Sequence, residues 1–111
     1  MRQADFFLDD RPICPVVVAD TWWERARGMT LRRPLPEALV VINAEGAYAF
    51  GMRRGLDVAL LDEAGTVIRI QVVKAWRTAR FRPRGNLLEA LHGSFERWGV
   101  RPGSRVTIVP H

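Results

Sequence analysis

Asp57-Val58-Ala59-Leu60-Leu61-Asp62-Glu63-Ala64-Gly65-Thr66-Val67-Ile68-Arg69-Ile70-Gln71-Val72-Val73 reads as two strands and the turn between them. Two apolar runs of strand length flank a short polar segment ending in Gly65, the arrangement of a β-hairpin with glycine at the turn. In the second arm Ile68, Ile70 and Val72 alternate with Arg69, Gln71 and Val73. Period two predicts that the first three face the core and that the other side is largely wet.

Further strands are expected on both sides of this hairpin. Ile13 to Ala19 holds the β-branched run Val16-Val17-Val18. Leu39 to Ile42 is short and apolar, Tyr48 to Met52 is interrupted by Gly51, and Leu87 to Leu91 and Val106 to Val109 complete the set. Ala75 to Asn86, with its Arg, Pro and Gly, reads as a loop or an irregular edge strand. Thr21-Trp22-Trp23-Glu24 has capping-box spacing, and Gly28 stops that helix about two turns on. Pro34 and Pro36 then hold an extended connector. Ser94 is placed to cap one helical turn before Gly99, and Arg101-Pro102-Gly103-Ser104 suits a type II turn. Two such short helices cannot cover a parallel sheet on both faces. The expectation is an α+β fold with a mainly antiparallel, curled sheet or small β-barrel. Its core should include Trp22, Trp23, Leu39, Val41, Val58, Leu60, Ile68, Ile70, Val72, Leu88, Trp98 and Val106.

The chain has 111 residues, 48% hydrophobic and 26% charged, which fits one globular domain over 1–111, with 1–12 expected as a loosely ordered arm. No run approaches the ~18 apolar residues of a membrane span. The charged start, Met1-Arg2-Gln3-Ala4-Asp5, lacks the apolar core of a secretory signal, so a cytoplasmic location is expected. One cysteine excludes an internal disulfide, and two distant histidines give no zinc spacing, so neither metal nor cofactor is expected. No nucleophile elbow, P-loop or dinucleotide fingerprint is present. The net charge of +5 is uneven. Residues 1–63 carry eight Arg against ten acids, whereas 64–111 carry eight Arg and Lys74 against Glu89 and Glu96. The basic half creates a field that attracts anions.

Three blocks carry a resemblance to the family called domain of unknown function 192. They are Glu24-Arg25-Ala26-Arg27-Gly28 with Arg32, Leu35 and Pro36; Phe50-Gly51-Met52-Arg53 with Leu56 to Asp62 and Gly65; and Leu87-Leu88-Glu89 with Gly93 and Trp98 to Gly103. The match covers roughly Val17 to Val109 and implies a compact β-rich fold with short helices and no established activity. The chain is similar to a subgroup whose second block reads His-Thr-Phe-Gly-Met-Arg-Phe-Pro-Ile-Asp. Here Tyr48 and Ala49 replace the His and Thr, Arg54 and Gly55 replace the Phe and Pro, and Ala44 stands where the subgroup tends to have Cys. Chemistry resting on that Cys and His does not carry over, which argues against an enzyme.

Three candidate sites follow from these residues. Gly51 between Phe50 and Met52, with Arg25, Arg53, Asp57 and Glu89 in the family pattern, suits a cleft for a protein segment or small anionic ligand in a non-enzymatic binding module. Equally, Gly51 marks a bulge while Phe50 and Met52 fill the core. Asp57 and Glu89 would make an acid–base pair in an enzyme, or would each be neutralised by Arg25, Arg32 or Arg53. Arg69, Lys74, Trp76, Arg77, Arg80, Phe81, Arg82 and Arg84 mix cations with aromatics as single-stranded nucleic acid requires, or form a solvated loop that Trp76 and Phe81 anchor to the core. His92 reads as a surface substitution, and Cys14 as a buried or incidental thiol. An edge strand left open would allow a weak dimer in place of a monomer.

Overall fold

A computed structural model describes residues 2–27 and 35–111, without the side chains of Trp22, Trp23 and Arg27. Gly28, Arg32 and Pro34, and the two tryptophans expected in the core, therefore lie outside the described residues. The element order is β1 (Arg2–Leu8), β2 (Arg11–Ala19), α1 (Trp22–Arg27), β3 (Leu39–Tyr48), β4 (Leu56–Leu61), β5 (Val67–Val73), β6 (Thr78–Leu91), α2 (Ser94–Trp98) and β7 (Val106–Pro110). They form one seven-stranded sheet in the order β5-β4-β6-β3-β2-β1-β7. Strand β2 runs parallel to β3 over Val17–Ala19 and Leu39–Val41, joined across α1, and the other ladders are antiparallel.

The protein is thus mostly β with two very short helices, and the sheet is neither closed nor strongly curled. The expected barrel fails because β5 and β7 share no ladder. They meet at one bridge, Thr66 with Arg105, flanked by short bonds from Val67 N to Ser104 O and from Val106 N to Gly65 O (both 2.8 Å). The N-terminal arm is also corrected. Ala4, Phe6 and Leu8 alternate inward along β1, which is held between β2 and β7. Of the two readings of Ala75 to Asn86, the irregular edge strand holds: β6 begins at Thr78, and up to Gly85 it pairs with β3 alone, across register shifts, before Asn86–Leu91 enters the sheet between β4 and β3. Tyr48 ends β3, and Phe50-Gly51 is a turn rather than a strand.

Strand β4 is buried on both faces, and two apolar cores flank it. The first packs Phe6, Val18, Ala59, Leu88, Phe95 and Val106, with the Trp98 ring edge-on to Phe6 at 5.6 Å. The second packs Leu39, Met52, Leu56, Val58, Phe81 and Leu87. Leu39, Val41, Val58, Leu60, Leu88 and Val106 are buried as expected. Ile68 and Val72 are not, at 49% and 45% exposure. A bulge between Leu60 and Leu61 takes Ile68 out of the alternation, and Val72 sits at the open margin of an edge strand. Ile70 alone of the three packs against the first core.

Three local signals are realised. The Thr21 hydroxyl accepts the Glu24 amide at 3.2 Å while Glu24 Oε1 accepts the Thr21 amide at 3.3 Å, a capping box. Ser104 N donates to Arg101 O at 3.0 Å, with Gly103 at φ 92°, as the turn requires. Asp62 Oδ1 accepts the amides of Ala64 and Thr66, both at 2.9 Å, and shapes the hairpin turn.

Gly65 has φ 87°, and a Cβ there would lie 2.2 Å from the Val106 carbonyl oxygen, at the seam between the sheet's two edges. Gly103 has a similar φ but open space around it. Gly65→Ala should lower the free energy of unfolding by about 2–4 kcal/mol, from left-handed strain plus overpacking. Gly103→Ala should cost only about 1 kcal/mol. Urea midpoints at constant m-value measure the difference, and equal losses would refute the seam clash.

Candidate functional site

The long strands β3 and β6 each have two parts. Leu39–Val41 pairs with Leu87–Glu89 inside the sheet, the register shifts twice between Val41 and Gly46, and Gly46–Tyr48 then pairs with Thr78–Arg80 as a two-stranded ribbon. Ala47, Ala79 and Phe81 turn inward to the second core. Period two therefore sends Tyr48, Thr78 and Arg80 outward, and Arg82 is exposed beyond them. The pairing continues past the strand ends, where Ala49 N donates to Arg77 O and Trp76 N to Ala49 O. Phe50 and Trp76 consequently stand at the same end of the ribbon, 48% and 64% exposed.

The register shift is centred on Asn43, whose φ is 50°. Its amide donates to Asn86 Oδ1 at 3.0 Å, and its carbonyl accepts both Arg25 Nη1 and Arg84 Nη1, each at 3.0 Å. Arg25 Nη1 also reaches Ile42 O at 3.3 Å, and its Nε is buried without a hydrogen-bond partner among the described residues. Arg84 Nη2 lies 3.4 Å from the exposed Glu45 carboxylate. These two arginines, Gly46 and Tyr48 line an open pocket of about 220 Å³. A Cβ on Gly46 would come within 2.8 Å of the Tyr48 hydroxyl oxygen, so the Tyr48 ring reaches back over Gly46. A separate cleft of about 310 Å³ opens beside Val40, Leu61 and Val106. Its rim mixes Asp62 and Glu63 with Arg2, which already pairs with Asp20 at 2.9 Å.

Asp57 belongs to another corner. Its Oδ2 accepts the amides of Gly93 and Phe95 at 2.9 and 3.1 Å, and its Oδ1 lies 2.8 Å from His92 Nδ1. Gly93, at φ 101°, is the N-cap residue of α2 and supplies no side chain, so a carboxylate from β4 does what Ser94 was expected to do. Ser94 is buried and accepts Arg97 Nη2 at 3.3 Å. His92 touches Asp57 with a side chain 58% exposed, and Arg54 Nη2 donates to the His92 carbonyl at 2.6 Å.

The structure sorts the residues proposed from sequence. Asp57 and Glu89 do not form a carboxylate pair. Asp57 lies opposite Ala90 and Glu89 opposite Val58, so their side chains leave opposite faces of the sheet. Arg25 bonds to β3 rather than to Asp57. Met52 is buried, Phe50 and Arg53 are exposed, and Gly51 (φ 75°) has open space where a Cβ would stand. Gly51 therefore serves the turn and not a close approach. In the basic segment, Lys74, Trp76, Arg77, Arg80, Arg82 and Arg84 are exposed together. Arg69 instead lies over the Phe81 ring at 4.9 Å and donates to Gln71 Oε1 and the Arg80 carbonyl. Phe81 anchors the ribbon, whereas Trp76 does not. Sequence reasoning missed Asn43, Gly46, Tyr48 and the Asp57–His92 contact.

Burial, with the Glu37 carboxylate adding to it, pushes the Cys14 thiol up to about 11. It is therefore protonated at neutral pH and makes a poor nucleophile.

A mainly antiparallel seven-stranded sheet with two very short helices and a basic, aromatic ribbon defines a small, mostly β domain. The chain belongs to the DUF192 family (uncharacterized ACR, COG1430), whose model matches residues 8–108. None of the curated proteins matches it. Two crystal structures are similar. A protein described as a "putative transcription regulator" from Sinorhizobium meliloti 1021 has 21% identity and a TM-score of 0.78, covering 96% of this chain and 93% of its own. A protein of unknown function from Novosphingobium aromaticivorans DSM 12444 has 17% identity and a TM-score of 0.69, covering 96% and 84%. At these identities the likeness concerns the fold.

Asp57→Ala should destabilise the protein by about 2–4 kcal/mol, because it strips the charged acceptor from two α2 amides. His92→Ala should cost less than about 1 kcal/mol, since the contact is largely exposed on its side. Equal losses in urea unfolding would show that the imidazole, not the cap, holds this corner. Cys14 should react with iodoacetamide at pH 8 on the order of 100-fold more slowly than free cysteine. A rate near that of free cysteine would refute its suppression by burial.

Proposed function

We propose that this protein is a non-enzymatic module that binds an anionic ligand at the ribbon. One observation carries the reading: Arg25 of α1 and Arg84 of β6 both donate to the Asn43 carbonyl at the edge of the 220 Å³ pocket. Two guanidiniums that share one carbonyl acceptor repel each other, and an anion between them would relieve that repulsion. Glu45 offsets part of this, but as an exposed contact it holds Arg84 weakly and exchanges readily for another acceptor. The expected Phe50–Arg53 cleft and the Arg-rich segment become one neighbourhood in this reading, because Ala49 is bonded to both Trp76 and Arg77. An enzyme reading has less support, since its two carboxylates leave opposite faces of the sheet.

Inorganic phosphate is the simplest probe. The Nε–Hε resonances of Arg25 and Arg84 should shift saturably as phosphate is added at constant ionic strength. Arg25→Gln or Arg84→Gln should each weaken that binding about tenfold, the strength of one charge-assisted contact. Shifts that chloride reproduces, or that survive in the double variant, would overturn the proposal.

A further inference from the structure

Resting on that anion-binding reading, we infer that the ligand of the ribbon is single-stranded nucleic acid. The outward face joins the two properties such a ligand needs, a cationic track and exposed aromatic rings. Arg80 and Arg82 stand two residues apart on one strand, about 7 Å along it, and run toward the Arg25–Arg84 pocket. Phe50 and Trp76 stand at the other end, 48% and 64% exposed, and the Tyr48 ring, 37% exposed, lines the pocket itself. No acidic residue occurs between Gly65 and Leu88, so β5 and the arm of β6 that forms the ribbon bring no like charge against a phosphate backbone. Glu45 on the β3 arm is engaged by Arg84.

Trp76 is the decisive residue. It has φ 66°, in the left-handed region where a bulky side chain is a genuine outlier. Its ring is nevertheless the most exposed of the protein's large apolar side chains among the described residues. The turn thus carries backbone strain, and the side chain returns no burial for it. Strain kept without a packing gain marks a position held for contact with something else. A flat ring beside arginines is the feature on which a base stacks, and stacking tolerates any sequence. The ribbon's outward face is open and exposed, and a base can stack on its rings only when it is unpaired.

The test is fluorescence anisotropy with labelled oligothymidylate and oligouridylate at several salt concentrations, with duplex DNA of equal length and inorganic polyphosphate as comparisons. Four phosphate contacts predict a slope of about −3 for log K against log salt. Arg80→Ala with Arg82→Ala should weaken binding and make that slope shallower by about 1.4. Trp76→Gly should raise the urea midpoint by relieving the strain, and at the same time weaken oligonucleotide binding about tenfold with the slope unchanged. Because that variant is expected to be more stable than the parent, lost binding cannot be lost folding. Duplex should bind about tenfold more weakly than single strand. No binding at low salt would overturn the inference. So would binding that Trp76→Gly leaves intact and polyphosphate matches, although the anion module would then stand. Oligonucleotide binding that depends on Trp76, with no phosphate effect at Arg25 or Arg84, would support the ribbon and refute the pocket.

Discussion

The ladder between β3 and β6 is the constraint from which the rest of the structure follows. Had it kept one register, it would be a pair of sheet strands with a hydrophobic sequence at one end and an arginine-rich one at the other. The two register shifts between Val41 and Gly46 divide it into a buried half and a half that ends in solvent. Leu87 and Leu88 of the buried half face opposite cores, and in the other half Ala47, Ala79 and Phe81 cover the second core from outside. A bulge leaves backbone groups outside the ladder. Here the freed Asn43 carbonyl is the acceptor that draws Arg25 and Arg84 together. The same irregularity that bends the ladder therefore creates the polar centre beside it.

Asp57 shows why residue type alone misleads. A carboxylate 4% exposed in a strand of six buried residues must find hydrogen-bond donors to offset its desolvation. It finds them in the first amides of α2, where glycine occupies the cap position and offers no side chain. A charge that resembles an active-site acid from sequence is in the structure the link between the sheet and a five-residue helix. His92 then approaches that carboxylate from the solvent side without being needed to neutralise it.

What was legible depended on how far apart the interacting residues lie. The hairpin of β4 and β5, the Thr21–Glu24 box and the turn ending at Ser104 involve residues within a few positions of one another, and their chemistry is written locally. The inward alternation of Ala4, Phe6 and Leu8, and that of Ala79 and Phe81 between arginines, were also present in the sequence. They were hidden by flanking Asp, Arg and Pro residues that signal loops when counted by composition. The opposite facing of Asp57 and Glu89 was not legible at all. In an antiparallel pair it depends on whether the register is odd or even, and that is set by the 31 intervening residues rather than by either acid. The pocket was equally invisible, because Arg25 and Arg84 lie 59 positions apart and meet only through a backbone oxygen.

Arginine content treats the basic half as uniform, whereas position divides it. Arg69 lies over Phe81 and donates to neighbouring acceptors, so its charge is spent within the fold. Arg84 divides its donors between the Asn43 carbonyl and Glu45, and so is held yet exchangeable. Arg80 and Arg82 project from a strand whose other face is anchored by Phe81, which fixes their direction without using their charge. Phe81 anchors the backbone from which they project, so meeting a ligand costs less main-chain ordering there than it would on a free loop. Composition alone would bias the whole half toward anions. The ribbon narrows that bias to one face, beside the aromatic rings that a merely solvated surface has no reason to display.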